Sequence, residues 1–443
     1  MAFDRAFEAV ASYGSPGTLD VFRRHLDPGW IDAALEATGV ATLRKRRLPA
    51  EQVLWVVLGM AMFRDRPIED VVSKLDLALP GRAGTIARSS IAQARERVGS
   101  EPLKWLFERT GQQWAVASAE KHLWRGLMIF GVDGSSVRVS DSAENRKEFG
   151  GQGGRNGTES GYPLVRVAVL MALRSHLLAA ASFGPYAGSH ELDYAKPLFE
   201  HLPPGSLAVL DRAYFSASLL LGIEAKEGRH WLTRAKSNLQ KRLVKRLGPG
   251  DELLELEISP TARRQDPSLG RAWLARAIRY KRRGFPEQWL LTSLRDPREF
   301  PRTEIIALYH ERWELELGYD EIKTEMLQRQ ETIRSRKPDG VRQELWGILL
   351  AYNLIRLEMA SIAEEAKVVP TRISFIDALR LIRDEWSWLS VTSPGAIPKR
   401  IAALRSNVKR YVLPPRRARS YPRAVKVKMS GYNRKRPAVE LAK

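Results

Sequence analysis

The chain has 443 residues, and Lys and Arg outnumber Asp and Glu by 72 to 51, giving a net charge of +21 and a pI near 10.2. That length exceeds what one hydrophobic core organises, so two to four domains are expected, and the charge points to a polyanionic partner, nucleic acid more simply than a membrane surface. The chain has no cysteine, which excludes disulfides, Cys-ligated metals and thiol nucleophiles, and its seven histidines include no closely spaced pair, which argues against a His-ligated metal. Neither a membrane span nor a signal peptide is expected, which implies a cytoplasmic, nucleoid-associated protein.

Residues 1–120 read as an all-helical N-terminal domain. Apolar periodicity marks helices over 49–63, 67–79 and 89–113, with proline at the first turn of several. The basic clusters Arg23-Arg24 and Arg44-Lys45-Arg46-Arg47 suit a small DNA-binding module.

From residue 123 the pattern changes to short apolar runs at 127–133, 164–172, 177–183 and 207–211, the last followed by a helical stretch over 214–227. Buried strands of this kind, leading into helices, predict an α/β sheet with helices on its faces. Between the first two runs lies 150–161, with six glycines in twelve residues. It lacks the G-K-[ST] ending of a phosphate cradle and reads as a flexible hairpin loop.

Residues 229–298 alternate as a strand-forming block rich in Arg and Lys (253–258, 272–280, 288–293), which reads as a β-rich insertion. The sheet-and-helix core then comprises 121–228 and 299–366, followed by a helical C-terminal region over 367–415. The tail 416–443 carries ten Lys and Arg against the single Glu440, or +9 of the total +21. Such a segment is expected to be disordered or draped on DNA.

Two aspartates leave apolar runs: Asp133 in Gly-Val-Asp-Gly-Ser and Asp211 in Val-Leu-Asp-Arg-Ala-Tyr-Phe. Ligands of open α/β sheets bind outside the carboxyl ends of strands, which makes both candidate metal ligands. Asp133-Gly134 is also a common turn pair, and Asp211 is also suited to cap a helix. Farther on, Tyr309, Arg312, Glu316 and Lys323 share one face of a helix expected over 303–336, at ~0°, −60°, −20° and −40° for 100° per residue. One acid flanked by two cations and a phenol suits a metal-assisted phosphate site. Asp320, at ~20° on the same wheel, is a rival third ligand.

Asp133, Asp211 and Glu316, with the Tyr-x2-Arg-x3-Glu-x6-Lys spacing from Tyr309, resemble the DDE transposases of the insertion-sequence-4 family. Asp211-Arg-Ala-Tyr-Phe, Arg46-Arg-Leu-Pro49 and Phe63-Arg-Asp-Arg-Pro67 are similar to the same family, and the likeness covers roughly residues 20–390. The resemblance implies an RNase H-like catalytic core interrupted by the β-rich insertion. It implies two Mg²⁺ ions, with Mn²⁺ as substitute, on the three carboxylates, and cleavage of element ends followed by strand transfer into target DNA.

Arg312 and Lys323 would then contact phosphates, Tyr309 would bond a phosphate or orient a neighbour, and Trp289 would stack on a flipped base, with Trp273 as its competitor. Double-stranded DNA at terminal inverted repeats and at the target is the expected partner, with a homodimer joining two ends. A structure-selective nuclease and a catalytically inactive DNA-binding protein are the alternatives.

Overall fold

The computed structural model describes residues 25–41, 48–75, 86–153, 159–236, 239–282, 286–328, 332–389 and 396–415. Arg23-Arg24, Arg44 to Arg47 and the basic tail 416–443 lie outside these, as does the middle of the glycine-rich stretch.

The N-terminal part is helical. Helix α1 (Pro28–Ala37) starts with proline after Asp27, whose side chain accepts from the Gly29 amide at 2.7 Å. In α2 (Ala50–Met62) every residue except Glu51 is buried, as expected of a helix apolar on all sides. Helix α3 (Ile68–Lys74) follows. The helix expected over 89–113 is two, α4 (Arg88–Val98) and α5 (Glu101–Ala119), divided at Gly99. Gly99 sits at φ +67° and its amide closes the end of α4 on the Arg95 carbonyl at 2.9 Å, the usual glycine stop.

One mixed sheet forms the centre. Its strands are β1 (Met128–Val139), β2 (Leu164–Ala172), β3 (Leu178–Pro185), β4 (Ser206–Leu210), β5 (Arg229–Arg234), β6 (Lys241–Gly248), β7 (Asp251–Glu257), β8 (Ala272–Tyr280) and β9 (Gln288–Thr292). They lie in the order β3-β2-β1-β4-β5-β9-β8-β7-β6. β1, β2 and β3 are antiparallel neighbours, whereas β1, β4 and β5 run parallel. The strands of the β-rich block therefore extend the central sheet, β9 joining antiparallel to the outer edge of β5.

β1 runs on past Asp133 to Val139, so Asp133-Gly134 is not a turn: Gly134 and Ser135 pair with Ala168 and Val167 of β2. A polar Gly-Ser-Ser segment stays in the strand because the apolar β2 holds its backbone.

Between β4 and β5 a 3₁₀ turn (Arg212–Tyr214) leads into α6 (Ala217–Glu224). The segment expected as one helix over 303–336 is wound three ways. Helix α7 (Arg302–Tyr309) tightens into a 3₁₀ turn (His310–Arg312), continues as α8 (Trp313–Asp320) and loosens into a π turn (Glu321–Met326). A short strand, β10 (Thr332–Ile333), then pairs parallel with the end of β1. Helix α8 lies close on β1 and β2, because a Cβ on Gly131 would overlap Leu315 and one on Gly318 would overlap Met171.

The long α9 (Pro338–Glu365) packs against α2 and α5, and α5 lies along β3. The α9 carboxylate of Glu344 meets Arg64 at 3.1 Å with both side chains buried, which ties the N-terminal helices to the core. α9 contains a stretch long and apolar enough to cross a membrane by length and composition, and 83% of that stretch is buried inside the protein. α10 (Phe375–Leu389) and α11 (Ile397–Val408) complete the described chain.

Candidate active site

The sheet itself brings the two aspartates together. Val132 and Leu210 are register partners across the parallel pair β1 and β4, so Asp133 and Asp211 follow on neighbouring strands whose spacing is ~4.8 Å. The Gly134 amide donates to Asp133 Oδ1 at 3.0 Å. Asp211 caps the 3₁₀ turn by accepting from the Ala213 amide at 3.0 Å, yet its side chain remains 41% exposed. Capping and availability at the site coexist.

Glu316 comes from α8 and is linked to Asp211 through Arg312. Gly131, two residues before Asp133 on the same face of β1, is covered by Leu315, so this face of the strand looks toward α8. Arg312 stands between the acids, its Nη2 2.9 Å from Glu316 Oε1 and its Nη1 4.0 Å from Asp211 Oδ2. A guanidinium thus bridges the strand-end acid and the helix acid. The Tyr319 hydroxyl donates to the Asp133 carbonyl at 2.8 Å and pins the helix to the strand at that point.

Burial pushes the Asp133 carboxyl up to about 6; Glu191 and Asp211 add to the rise, while the Gly134 amide and Arg312 oppose it. Glu191 is the residue that sequence reasoning missed. It opens a short helix (Glu191–Ala195), lies against the Cα of Gly134, and accepts from the Tyr214 hydroxyl at 2.6 Å. Tyr214, three residues after Asp211, is buried, and burial together with Glu191 raises its phenol. No signal in the sequence joins Glu191 to Asp133; Tyr214 alone was within reach, as part of the Asp-Arg-Ala-Tyr stretch.

Lys323, in the π turn, extends to within 3.5 Å of Ser135 Oγ on β1, two residues beyond Asp133. Tyr309 is 6% exposed, and burial pushes its phenol up to about 12. It belongs to the wall of the site more than to its open surface. Asp320 accepts from Thr324 Oγ1 of its own helix at 2.5 Å and is exposed. The competing tryptophans separate by packing. Trp273 is 7% exposed and rests 5.2 Å from the Trp231 ring, a core position. Trp289 is half-buried, with Lys241 Nζ 4.0 Å over its ring, and lines a cavity of about 310 Å³ with Arg212, Arg234, Lys236 and Lys241.

Among the described residues no three acids or histidines are drawn together into a ready-made metal cluster. The donor chemistry of the three acids, carboxylate oxygens throughout, nonetheless fits a hard divalent cation, and Arg312, which neutralises Asp211 and Glu316 here, would have to give way to one.

Residues 16–108 match the family described as Insertion element 4 transposase N-terminal, and residues 124–354 match the Transposase DDE domain. The chain is similar to the transposase InsG of insertion sequence element IS4 from Escherichia coli K12, at 40% identity over 96% of both chains. It is also similar to the putative transposase InsZ of the same organism, at 36% identity over 52% of this chain and 76% of that one. A piggyBac transposase in a synaptic complex with hairpin DNA aligns over 92% of this chain and 88% of that one, at 10% identity and a TM-score of 0.42. With both domain matches in chain order and a relative alike along nearly its whole length, the chain belongs to the insertion element 4 family of DDE transposases.

Proposed function

We propose that this transposase binds the ends of an insertion element, cuts them at Asp133, Asp211 and Glu316, and transfers the freed strands into target DNA. The observation that carries the reading is the side-by-side placement of Asp133, within β1, and Asp211, just past the end of the parallel β4, with Glu316 linked to Asp211 through Arg312. The strand order β3-β2-β1-β4-β5, three antiparallel followed by two parallel, supports an RNase H-like core. Two Mg²⁺ ions, or Mn²⁺ in their place, would be held by the three carboxylates and would supply activation of the attacking hydroxyl and stabilisation of the leaving oxygen.

The protein's own groups do the positioning. Arg312 and Lys323, on either side of Glu316, offer cations to the phosphates flanking the scissile bond. Tyr309 sets the wall against which Arg312 rests. The half-open face of Trp289, ringed by cations, suits stacking of an extruded base. Since two element ends are joined in one reaction, a homodimer on DNA is the working assembly.

Asp133→Asn, Asp211→Asn and Glu316→Gln, assayed for Mg²⁺-dependent cleavage and strand transfer on DNA carrying the element's inverted repeats, test the reading. Each is expected to abolish both steps and to leave end binding intact. Full activity in any one removes that residue from the site, and cleavage without strand transfer by the unaltered protein points to a nuclease instead.

A further inference from the structure

The signature segment has a second charged face, turned away from the candidate site. Glu311, Glu314 and Glu321 lie along it, and all three are engaged by the tight turn joining β2 to β3. Arg174 grips Glu311 with two bonds of 2.9 and 2.8 Å. His176 places Nε2 2.7 Å from Glu314 and Nδ1 3.3 Å from Glu321. From the opposite side Arg356 of α9 pairs with Glu321 and lies against the His176 ring, while the Tyr352 hydroxyl donates to Glu321 at 2.7 Å.

His176 is fully buried and sits at φ +62°. A non-glycine residue is rarely left in that conformation without a compensating interaction. The backbone arrangement is held by its own amide, which donates to the Ala172 carbonyl at 2.8 Å. Burial alone would raise the Glu321 carboxyl, yet Arg356 and His176 overcome it and hold it down at about 2.

These acids fall at the two changes of winding. Glu311 lies in the 3₁₀ turn and Glu321 opens the π turn, with Glu314 in α8 between them. A 3₁₀ turn advances ~20° more per residue than an α-helix, and a π turn, wound with i→i+5 bonds, advances less. The overwound turn ends at Arg312, and the loosened turn carries Lys323. With uniform α winding Lys323 would point elsewhere relative to Glu316, and α8, which carries Glu316 with Arg312 at its N-cap as an i, i+4 pair, would be turned relative to α7.

We infer that the Arg174–His176 turn is a positioning clamp, which holds both winding changes and so sets the rotation of α8, with Arg312 at its N-cap and Glu316 on it, and the direction of Lys323 beyond it. The inference rests on the proposed roles of those three residues. Arg174 and His176 touch no substrate in this reading; they act through Glu311, Glu314 and Glu321.

Charge exchange tests it. Arg174→Glu alone is expected to lower single-turnover cleavage of pre-bound end DNA by ~10²-fold, the scale of a 1 Å misplacement, with affinity for end DNA unchanged. Arg174→Glu combined with Glu311→Arg restores the ion pair in reverse and is expected to recover most of the rate, which a general loss of stability would not do.

His176 gives a second arm that decides the same question should Arg174→Glu not fold. Asn accepts the positive φ but falls short of Glu314, whereas Gln can extend an amide to it, so His176→Gln is expected to cleave faster than His176→Asn. A wild-type rate in Arg174→Glu or His176→Asn overturns the clamp, as does a folded double variant no faster than Arg174→Glu. Glu316→Gln, run alongside, separates the two readings: if it is active the site assignment itself fails, and if it is dead while Arg174→Glu is fully active only the clamp fails.

Discussion

Glu191 lies so close over Gly134 that a Cβ on the glycine would overlap its Cγ and Cδ. The contact links the residue after Asp133, through Glu191 and its 2.6 Å bond from Tyr214, to the turn that follows Asp211. Gly134→Ala must displace Glu191. It is expected to cost ~1–3 kcal/mol of stability, the scale of overpacking, and to slow cleavage at least ~10-fold through misplacement of the acids. Thermal unfolding and single-turnover cleavage measure the two effects; a neutral alanine would show that Glu191 has room to move.

Asp133 carries a pH signature. Its folded value of about 6 lies above the ordinary 3.8, so between those values the folded chain keeps a proton that the unfolded chain has released. Stability contributed by this group therefore falls as pH rises from about 4 to 6, and above that the cost of its charge is complete, at most about 3 kcal/mol. Asp133→Asn is expected to stabilise the cation-free protein at pH 8 by ~2–3 kcal/mol and hardly at all at pH 4. Urea unfolding at the two pH values checks it, and equal effects at both would refute the burial account.

Arg276 and Asp251 form a buried pair in the extended half of the sheet, with bonds of 2.8 and 2.6 Å. The same guanidinium donates to the Phe300 carbonyl at 2.7 Å, just ahead of α7. Asp251→Ala leaves that cation unpaired and is expected to destabilise the protein by ~3–5 kcal/mol. Because Arg276 also anchors the chain entering the signature segment, protease susceptibility near residue 300 should rise with the loss.

The two tryptophans are expected to respond oppositely. Trp289→Ala should leave stability nearly unchanged and weaken binding of DNA with an unpaired base near the cleavage site by ~1–3 kcal/mol, with Trp289→Phe in between. Trp273→Ala should cost ~3–5 kcal/mol of stability, as a core aromatic does. Comparable loss of fold in both would return Trp289 to the core.

The strands around the site are legible because apolar runs such as 164–172 cannot be solvated, and the observed β2 has those same bounds. β1 is legible only to Asp133, since Gly-Ser-Ser carries turn chemistry locally and becomes strand only beside β2. The Tyr309 to Lys323 spacing reads as a uniform helix, but its 3₁₀ and π turns carry Glu311 and Glu321, whose partners Arg174, His176 and Arg356 lie far away in sequence. Glu191 is invisible for the same reason: its role exists only once Gly134 and Tyr214 are packed around it.

The β-rich block shares its hydrogen-bond ladder with the strands that bear the acids, so the site and the tryptophan cavity are parts of one ruler. β9, which carries Trp289, is separated from β4, which leads to Asp211, by β5 alone, two steps of ~4.8 Å each. On the proposed reading, the interval between the cut phosphate and the stacked base is counted in strands. Side-chain substitutions can strengthen or weaken the grip at either mark, but moving one mark relative to the other requires a strand gained, a strand lost, or a slip in the pairing of Leu290 with Arg234.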